Sequence, residues 1–162
     1  MQVRLKPVSL DDVEALFQWI KRYYEFDHII FDARSIRRGI RTLLRRQNYG
    51  MAWFICAEGE TVGYTVLTYG FDMEFGGLLG IITDFYIDEH HRAKGIGSRA
   101  LKEVIAFARR NGLSTIELQV IRGNEIALKF YQNAGFTCHD RRLMSKCTRR
   151  SFTRAPVRAK KE

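Results

Sequence analysis

Residues 84–101 read DFYIDEHHRAKGIGSRAL, and this stretch decides the fold class of the chain. It continues an apolar run over 78–87 that is typical of a buried strand, and it leads into an amphipathic helix. Glycines at the junction leave backbone N–H groups exposed at a helix N-terminus, where an anion is stabilised, and two basic residues add positive charge. The basic residues and glycines of this turn are Arg92, Lys94, Gly95 and Gly97. We therefore expect the turn to bind a diphosphate.

The spacing of the two glycines distinguishes between phosphate-binding loops. A dinucleotide-binding fingerprint needs a third glycine where Ala100 stands, and the P-loop sequence is absent. What remains, Arg92-x-x-Gly95-x-Gly97, resembles the acetyl-coenzyme A loop of the GNAT family of N-acetyltransferases. On this hexapeptide alone, an ordinary strand-to-helix turn is the competing interpretation.

A second motif lies over residues 124–136, which read NEIALKFYQNAGF. It resembles the C-terminal motif of the same family and follows the first motif at the expected distance. Asn124 and Tyr131 stand two helical turns apart and therefore share one face. The resemblance implies that Tyr131 is a general acid for the departing thiolate, a role that suits a phenol with an ordinary pKa of about 10. Core packing is the competing interpretation of this tyrosine.

The resemblance also implies acetyl-CoA as the cosubstrate, bound along the end of the strand and in the turn that follows. Its pantetheine arm would pair with the strand backbone, where the N–H of Ile87 is the expected oxyanion donor. The residues expected to bind acetyl-CoA are Phe85, Tyr86, Ile87, Arg92, Ala93, Lys94, Gly95, Ile96, Gly97, Ser98, Asn124, Ala127 and Tyr131.

Asp84 is the second candidate catalytic residue. It lies beside Thr83 in a mostly apolar strand, where a carboxylate is costly to bury without a partner or a wet cavity. The resemblance implies a base that takes the proton of the acceptor ammonium, directly or through water, or an anchor for that ammonium. A structural salt bridge to an arginine is the alternative.

Acidic and aromatic residues mix in two connections that the resemblance associates with the acceptor substrate. Such a wall suits a cationic amine through ion pairing and cation–π contact, although ordinary polar loops have a similar composition. The candidate substrate-binding residues are Glu25, Asp27, Asp72 and Glu74. We expect the substrate to be an amine of a small molecule or a peptide, with polyamines, aminoglycoside-like amines and protein amino groups all left open.

Periodicity along the chain predicts the element order β-αα-βββ-α-β-α-ββ. This is the order of the GNAT fold, an α/β (α+β) architecture. We expect a mixed, mostly antiparallel, twisted sheet of six to seven strands flanked by about four helices. One strand is predicted over 116–121, and the last two over 136–138 and 143–147. The element order extends the resemblance over residues 3–147.

The net charge of +9 is concentrated near the C-terminal end of the sequence. Residues 141–162 contain nine arginines and lysines and one acid, so the preceding residues are nearly neutral. We expect one acetyltransferase domain over 1–148 and a basic, flexible tail over 149–162. The tail supports an alternative function, in which a catalytically altered protein of this fold binds nucleic acid or a partner.

Other features of the sequence limit its class. Three cysteines and four histidines show no metal-ligand spacing, so no metal is expected. No run is long and apolar enough for a membrane span, and the first residues lack a signal-peptide core, so a cytoplasmic location is expected. The resemblance also allows a homodimer.

Overall fold

The computed structural model describes residues 1–146 and 148. The chain forms five strands and four α-helices in these residues. In chain order they are β1 (Val3–Pro7), α1 (Val13–Phe26), α2 (Ala33–Arg45), β2 (Gly50–Ala57), β3 (Glu60–Asp72), β4 (Gly77–Ile87), α3 (Ile96–Arg110), β5 (Thr115–Leu118) and α4 (Glu125–Asn133).

Local capping signals fix the starts of the first two helices. Before α1, an Asp12 carboxylate oxygen accepts hydrogen bonds from the Ser9 N–H at 2.9 Å and the Ser9 hydroxyl at 2.7 Å. Ser9 and Asp12 thus form a capping box. At α2, Asp32 accepts from the N–H groups of Arg34 and Ser35, which the sequence reading did not anticipate.

The five strands form one sheet in the order β1-β2-β3-β4-β5. Neighbouring strands are antiparallel, except that β4 and β5 are parallel. The first two helices cover one face through Leu16, Phe17 and Ile40, and α3 and α4 pack on the other around Leu101 and Val104. Because β4 and β5 are parallel, the starts of α3 and α4 lie at the same end of the sheet.

The sheet is smaller than predicted. Residues 134–146 contain no strand, so the strands expected over 136–138 and 143–147 do not form in the described residues, and Cys147 lies outside them. The physical reason is that this segment buries no apolar face: Leu143 is 71% exposed and Met144 is 89% exposed. Strand β5 also ends at Leu118, three residues before its predicted end.

Two further findings concern the described part of the chain. None of its helices is long and apolar enough to cross a membrane. Within 1–146 and 148, no three potential metal-ligating side chains cluster.

Gly63 allows β3 and β4 to approach closely, and this predicts a strong effect of substitution. A Cβ at Gly63 would lie 2.1 Å from the Tyr86 carbonyl oxygen, so Gly63→Ala must displace backbone in β4. We expect the free energy of unfolding to fall by about 3 kcal/mol. Gly39→Ala is the matched control, because a Cβ there meets no atom within 4 Å and alanine favours the helix by about 1 kcal/mol. Denaturant titration measures both, and equal stabilities would contradict the prediction.

Candidate functional site

Strand β4 has an open backbone edge at its C-terminal end. Its pairing with β5 begins at Leu79 and stops where Ile82 meets Leu118, although β4 continues to Ile87. Among the described residues, positions 83–87 therefore have no strand partner on that side. An extended chain that carries amide groups can hydrogen-bond to such an edge.

A β-bulge bends β4 at the same place. Val66 pairs with Asp84, but the next residue, Leu67, pairs with Ile82, so Thr83 is the extra residue on β4. A bulge increases the local twist and redirects the neighbouring side chains. It explains why β4 diverges from β5 here, and it sets the direction of Asp84.

The turn after β4 exposes backbone donors, as the sequence predicted. Ala93 and Gly95 have positive φ angles of 59° and 75°. Helix α3 then begins at Ile96, and its first bond across the turn is from the Arg99 N–H to the Gly95 carbonyl, at 3.2 Å. The N–H groups of residues 96–98 have no intrahelical acceptor in this geometry. They are free to bind an anion at the helix N-terminus.

The basic side chains of the turn bond to the protein backbone. Arg92 Nε donates to the Ile87 carbonyl at 2.8 Å, and its guanidinium stacks over the Phe26 ring with Cζ 4.2 Å from the ring centre. Lys94 Nζ donates to the His90 carbonyl at 2.9 Å. In these bonds Arg92 uses one of its five N–H donors and Lys94 one of its three, so both side chains can still bind an anion together with the backbone N–H groups.

Gly97 brings α3 and α4 together. A Cβ at this position would lie 3.4 Å from Phe130 of α4 and 3.8 Å from Phe85 of β4. At the start of α4, the Asn124 side chain accepts from the Ala127 N–H at 3.1 Å and so caps the helix. The predicted cofactor-binding residues of the two motifs therefore lie around one opening, between the end of β4 and the start of α4.

Tyr131 lies beside the open edge of β4. Its ring packs edge-on against Phe85, with centroids 6.4 Å apart, and against Phe130 and Phe136 at 4.9 and 5.7 Å. Burial raises the pKa of the Tyr131 hydroxyl to about 12. The phenol therefore stays protonated at every physiological pH.

Asp84 is partly buried and has no cationic partner. No ion pair of the described residues includes its carboxylate, so they give no support to the structural salt bridge. Burial raises the pKa of Asp84 to about 6. The Asp84 backbone is held by Thr65, whose hydroxyl donates to the Asp84 carbonyl at 2.9 Å. The carboxyl group thus titrates near neutral pH on a rigid strand.

Tyr23 is a further titratable group that is coupled to the candidate catalytic residues. Burial is the main cause that raises the pKa of its hydroxyl, and Asp27, Asp84 and Tyr131 add to the effect. The sequence did not assign Tyr23 to the site.

A second tyrosine of the site was also missed. Tyr64 is fully buried, and its hydroxyl has no hydrogen-bond partner in the part of the chain that the structure describes. Its ring lies 6.4 Å from that of Tyr23 and 6.3 Å from that of Tyr86. Tyr64 and Val66 are two residues apart on β3, so their side chains lie on the same face of the sheet. Since Val66 pairs with Asp84, knowledge of the strand pairing would have placed Tyr64 on the face of Asp84.

The four predicted substrate-binding acids do not lie together. Asp27 and Glu25 end α1 near the site, but Glu25 pairs with Lys21 at 3.7 Å. Asp72 and Glu74 lie in the β3–β4 hairpin, seven strand residues before Asp84, or about 23 Å away. Glu74 is there engaged by an arginine of the C-terminal segment, Arg141, at 2.8 Å. Of the four acids, Asp27 has a link to the candidate site, because it helps to raise the pKa of Tyr23.

The sequence of the chain is similar to those of known acetyltransferases. The model of the acetyltransferase (GNAT) family matches residues 13–136. The uncharacterized N-acetyltransferase MJ1207 of Methanocaldococcus jannaschii is 25% identical over 136 residues, which cover 82% of this chain and 59% of that protein. The chain thus spans less than two thirds of that relative. The uncharacterized N-acetyltransferase YhfO of Bacillus subtilis is 25% identical over 135 residues, covering 83% of this chain and 89% of YhfO.

A solved structure shares the fold. It is an integron cassette protein from the mobile metagenome of Cole Harbour salt marsh, with a TM-score of 0.79 and 28% identity. The match covers 90% of each chain.

Proposed function

Because the chain belongs to the acetyltransferase (GNAT) family, whose enzymes are acetyl-CoA-dependent N-acetyltransferases, we propose that it acetylates a primary amine of a small molecule or a peptide. The family match confirms the predicted family, and the N-acetyltransferase names of the relatives support the predicted enzyme class and cosubstrate. The observation that carries the proposal is the open edge of β4 over 83–87, which leads directly into the N–H groups of the turn.

The residues of this edge and turn fit acetyl-CoA. The backbone of Phe85 to Ile87 would hold the pantetheine amides, and the N–H groups from Ala93 to Ser98 would hold the diphosphate. When bound, acetyl-CoA supplies the thioester carbonyl that the amine attacks. A free N–H at Ile87 would stabilise the negative charge on the thioester oxygen.

Asp84 would accept the proton of the acceptor ammonium. With a pKa of about 6, its carboxyl group is mostly ionised at pH 7 and above. An alkylammonium has a pKa near 10, so a nearby carboxylate binds it by ion pairing, and transfer of its proton to Asp84 is uphill by about 6 kcal/mol. Asp84 would therefore hold the proton of the small fraction of amine that becomes neutral and attacks. The Asp84 carboxylate has no competing cation among the described residues, which supports this role over a structural one.

Tyr131 would donate a hydrogen bond to the leaving sulfur. A pKa of about 12 makes the phenol a weaker acid than a thiol, whose pKa is about 8.5. Complete proton transfer would then be uphill by about 5 kcal/mol. The structure therefore favours stabilisation of the thiolate by the phenol O–H, a narrower role than the full proton donor expected from the sequence.

Free thiol release tests the proposed function. The full chain is mixed with acetyl-CoA and a panel of primary amines, and thiol is followed with a chromogenic reagent. We expect thiol release that depends on the amine and gives the N-acetyl product by mass spectrometry. Binding of acetyl-CoA without turnover on any amine would contradict the proposal.

Gly95 provides a prediction specific to the diphosphate turn. Its φ of 75° disfavours any side chain, so Gly95→Ala should cost about 1 kcal/mol of stability and move the N–H groups of the turn. We expect the Kd for acetyl-CoA to rise at least about tenfold, by loss of roughly one charged hydrogen bond. Gly76→Ala is the matched control, because Gly76 has a φ of 66° in the distant β3–β4 hairpin.

Calorimetric titration and thermal unfolding separate the two effects of these variants. Both should lose similar stability, and only Gly95→Ala should bind acetyl-CoA more weakly. An equal Kd in the two variants would show that the turn does not hold the diphosphate.

The remaining expectations stay predictions. These are the homodimer, the cytoplasmic location, the domain boundary at 148 and the contact of the basic tail with nucleic acid or a partner. Residues 149–162, on which the binding-module alternative depends, lie outside the described residues.

A further inference from the structure

A groove of about 600 Å³ lies between α2 and the middle of β3, outside the site described above. Its wall is largely apolar. Ile36 and Leu43 of α2 are partly buried there, and Ile30, which precedes the helix, is 60% exposed. The aromatic residues Tyr24 and Tyr49 complete this wall. A groove of this size and composition can bury the apolar part of a small molecule.

The groove lies on the same face of the sheet as Asp84, about two strand residues away. Thr68 lines it, and Val66, two residues earlier on the same face of β3, pairs with Asp84. Two strand residues span about 7 Å. Tyr24 also lines the groove, and it joins burial and Asp84 in raising the pKa of Tyr64. A molecule with its amine at Asp84 could therefore extend its other end into the groove.

The charge beside the groove is positive. Helix α2 contains five arginines and no acid. Asp32 lines the groove and keeps its negative charge while it caps α2, but the four arginines of α2 other than Arg37 form no ion pair in the described residues, so the net charge there is positive. Arg38 also lines the groove and forms no ion pair among the described residues, its recorded hydrogen bond being 3.4 Å long, to the Ser35 hydroxyl. A second positive charge on the substrate would be repelled here, whereas a carboxylate would be attracted.

We propose that this groove binds the non-reacting end of the acceptor, and that the preferred acceptor is an amine whose apolar body ends in a carboxylate. The proposal rests on the proposed function, and it argues against polyamines and aminoglycoside-like amines. In this assignment, Arg38 holds the carboxylate and the apolar wall of α2 holds the body of the molecule. Arg38 thus determines specificity and takes no part in the chemical step.

Three amines of equal chain length test the proposal. They are 6-aminohexanoate, hexylamine and 1,6-diaminohexane, which end in a carboxylate, a methyl group and a second ammonium. We expect kcat/KM to decrease in that order, with at least a tenfold difference between the first and the last. Such a factor corresponds to about 1.4 kcal/mol, less than a good charged hydrogen bond contributes.

Variants of α2 locate the effect. Arg38→Gln should remove the advantage of 6-aminohexanoate over hexylamine. Arg45→Gln removes the same charge from the same helix at a position that does not line the groove, and it should preserve the advantage. Gly39→Phe should fill the groove and raise KM for 6-aminohexanoate, whereas ethylamine should be unaffected and Gly39→Ala should resemble the wild type.

The outcomes separate this proposal from the proposed function. The groove assignment alone would be overturned if 1,6-diaminohexane were the preferred substrate. It would also be overturned if wild type and Arg38→Gln showed the same preference among the three amines. If none of the amines caused thiol release, the proposed function would be overturned, and the groove assignment with it.

Discussion

Replacing Asp84 by asparagine should lower kcat/KM for the acceptor amine about 100-fold near pH 7, because a positioned base contributes at least that factor. The loss should be smaller at pH 5, where Asp84 is largely protonated in the wild type, since its pKa is about 6. It should also be smaller near pH 10, where much of the amine is already neutral. Initial rates from pH 5 to pH 10 measure the profile.

Stability provides an independent readout of the same group. The pKa of Asp84 is higher in the folded protein, about 6, than the ordinary value of 3.8. The folded state therefore holds this proton more tightly, and the carboxyl destabilises the protein increasingly as pH rises from about 4 through 6. Asparagine removes this cost. After allowance for partial exposure, Asp84→Asn should be more stable than wild type by about 1–2 kcal/mol at pH 8 and equal near pH 4.

The Asp84 variant also separates a base from an anchor. If Asp84 is a base, Asp84→Asn should lower kcat. If Asp84 anchors the ammonium, the variant should raise KM and preserve kcat. Asp11→Asn serves as the control, because Asp11 is an exposed carboxylate before α1. Wild-type values of both kcat and KM in Asp84→Asn would refute any role of the carboxylate in turnover.

Tyr131→Phe should lower kcat by about 10- to 100-fold. The change removes one hydrogen bond to a developing negative charge, which contributes about 1.5–3 kcal/mol. The ring contacts with Phe85, Phe130 and Phe136 are apolar, so the variant should keep its stability and its affinity for acetyl-CoA. Single-turnover rates with saturating acetyl-CoA and amine measure the effect.

Tyr69→Phe is the control for the loss of a partly buried phenol. Tyr69 lies on β3 and packs with the α3 cluster, and burial raises the pKa of its hydroxyl as it does for Tyr131. Loss of the Tyr69 hydroxyl should not change kcat. If Tyr131→Phe also turned over at the wild-type rate, Tyr131 would be a packing residue, the competing interpretation of its sequence motif.

Local sequence signals predicted the parts of the site that depend on neighbouring residues. Strand β4 ends at Ile87 with the apolar run, α3 begins at Ile96 in the glycine turn, and Asn124, the first residue of the second motif, caps α4. Each depends on the strand pattern, a glycine with positive φ, or a capping side chain, and these act within a few residues.

Features that depend on distant residues could not be read from the sequence. The divergence of β4 from β5 depends on the shortness of β5 and on the bulge at Thr83 opposite Val66. The Arg141–Glu74 ion pair joins residues 67 positions apart, and it engages an acid that the sequence suggested for the substrate. The last two predicted strands failed for the same reason, because their alternation had no core to face.

The central claim is that acetyl-CoA binds along the open edge of β4 and in the turn that follows. Amide hydrogen exchange with and without acetyl-CoA tests it most directly, since bound backbone N–H groups exchange more slowly. We predict slower exchange over residues 85–87 and 93–98 and no change in the hairpin over 72–77. If saturating acetyl-CoA slowed amide exchange only in other segments, the claim would be contradicted.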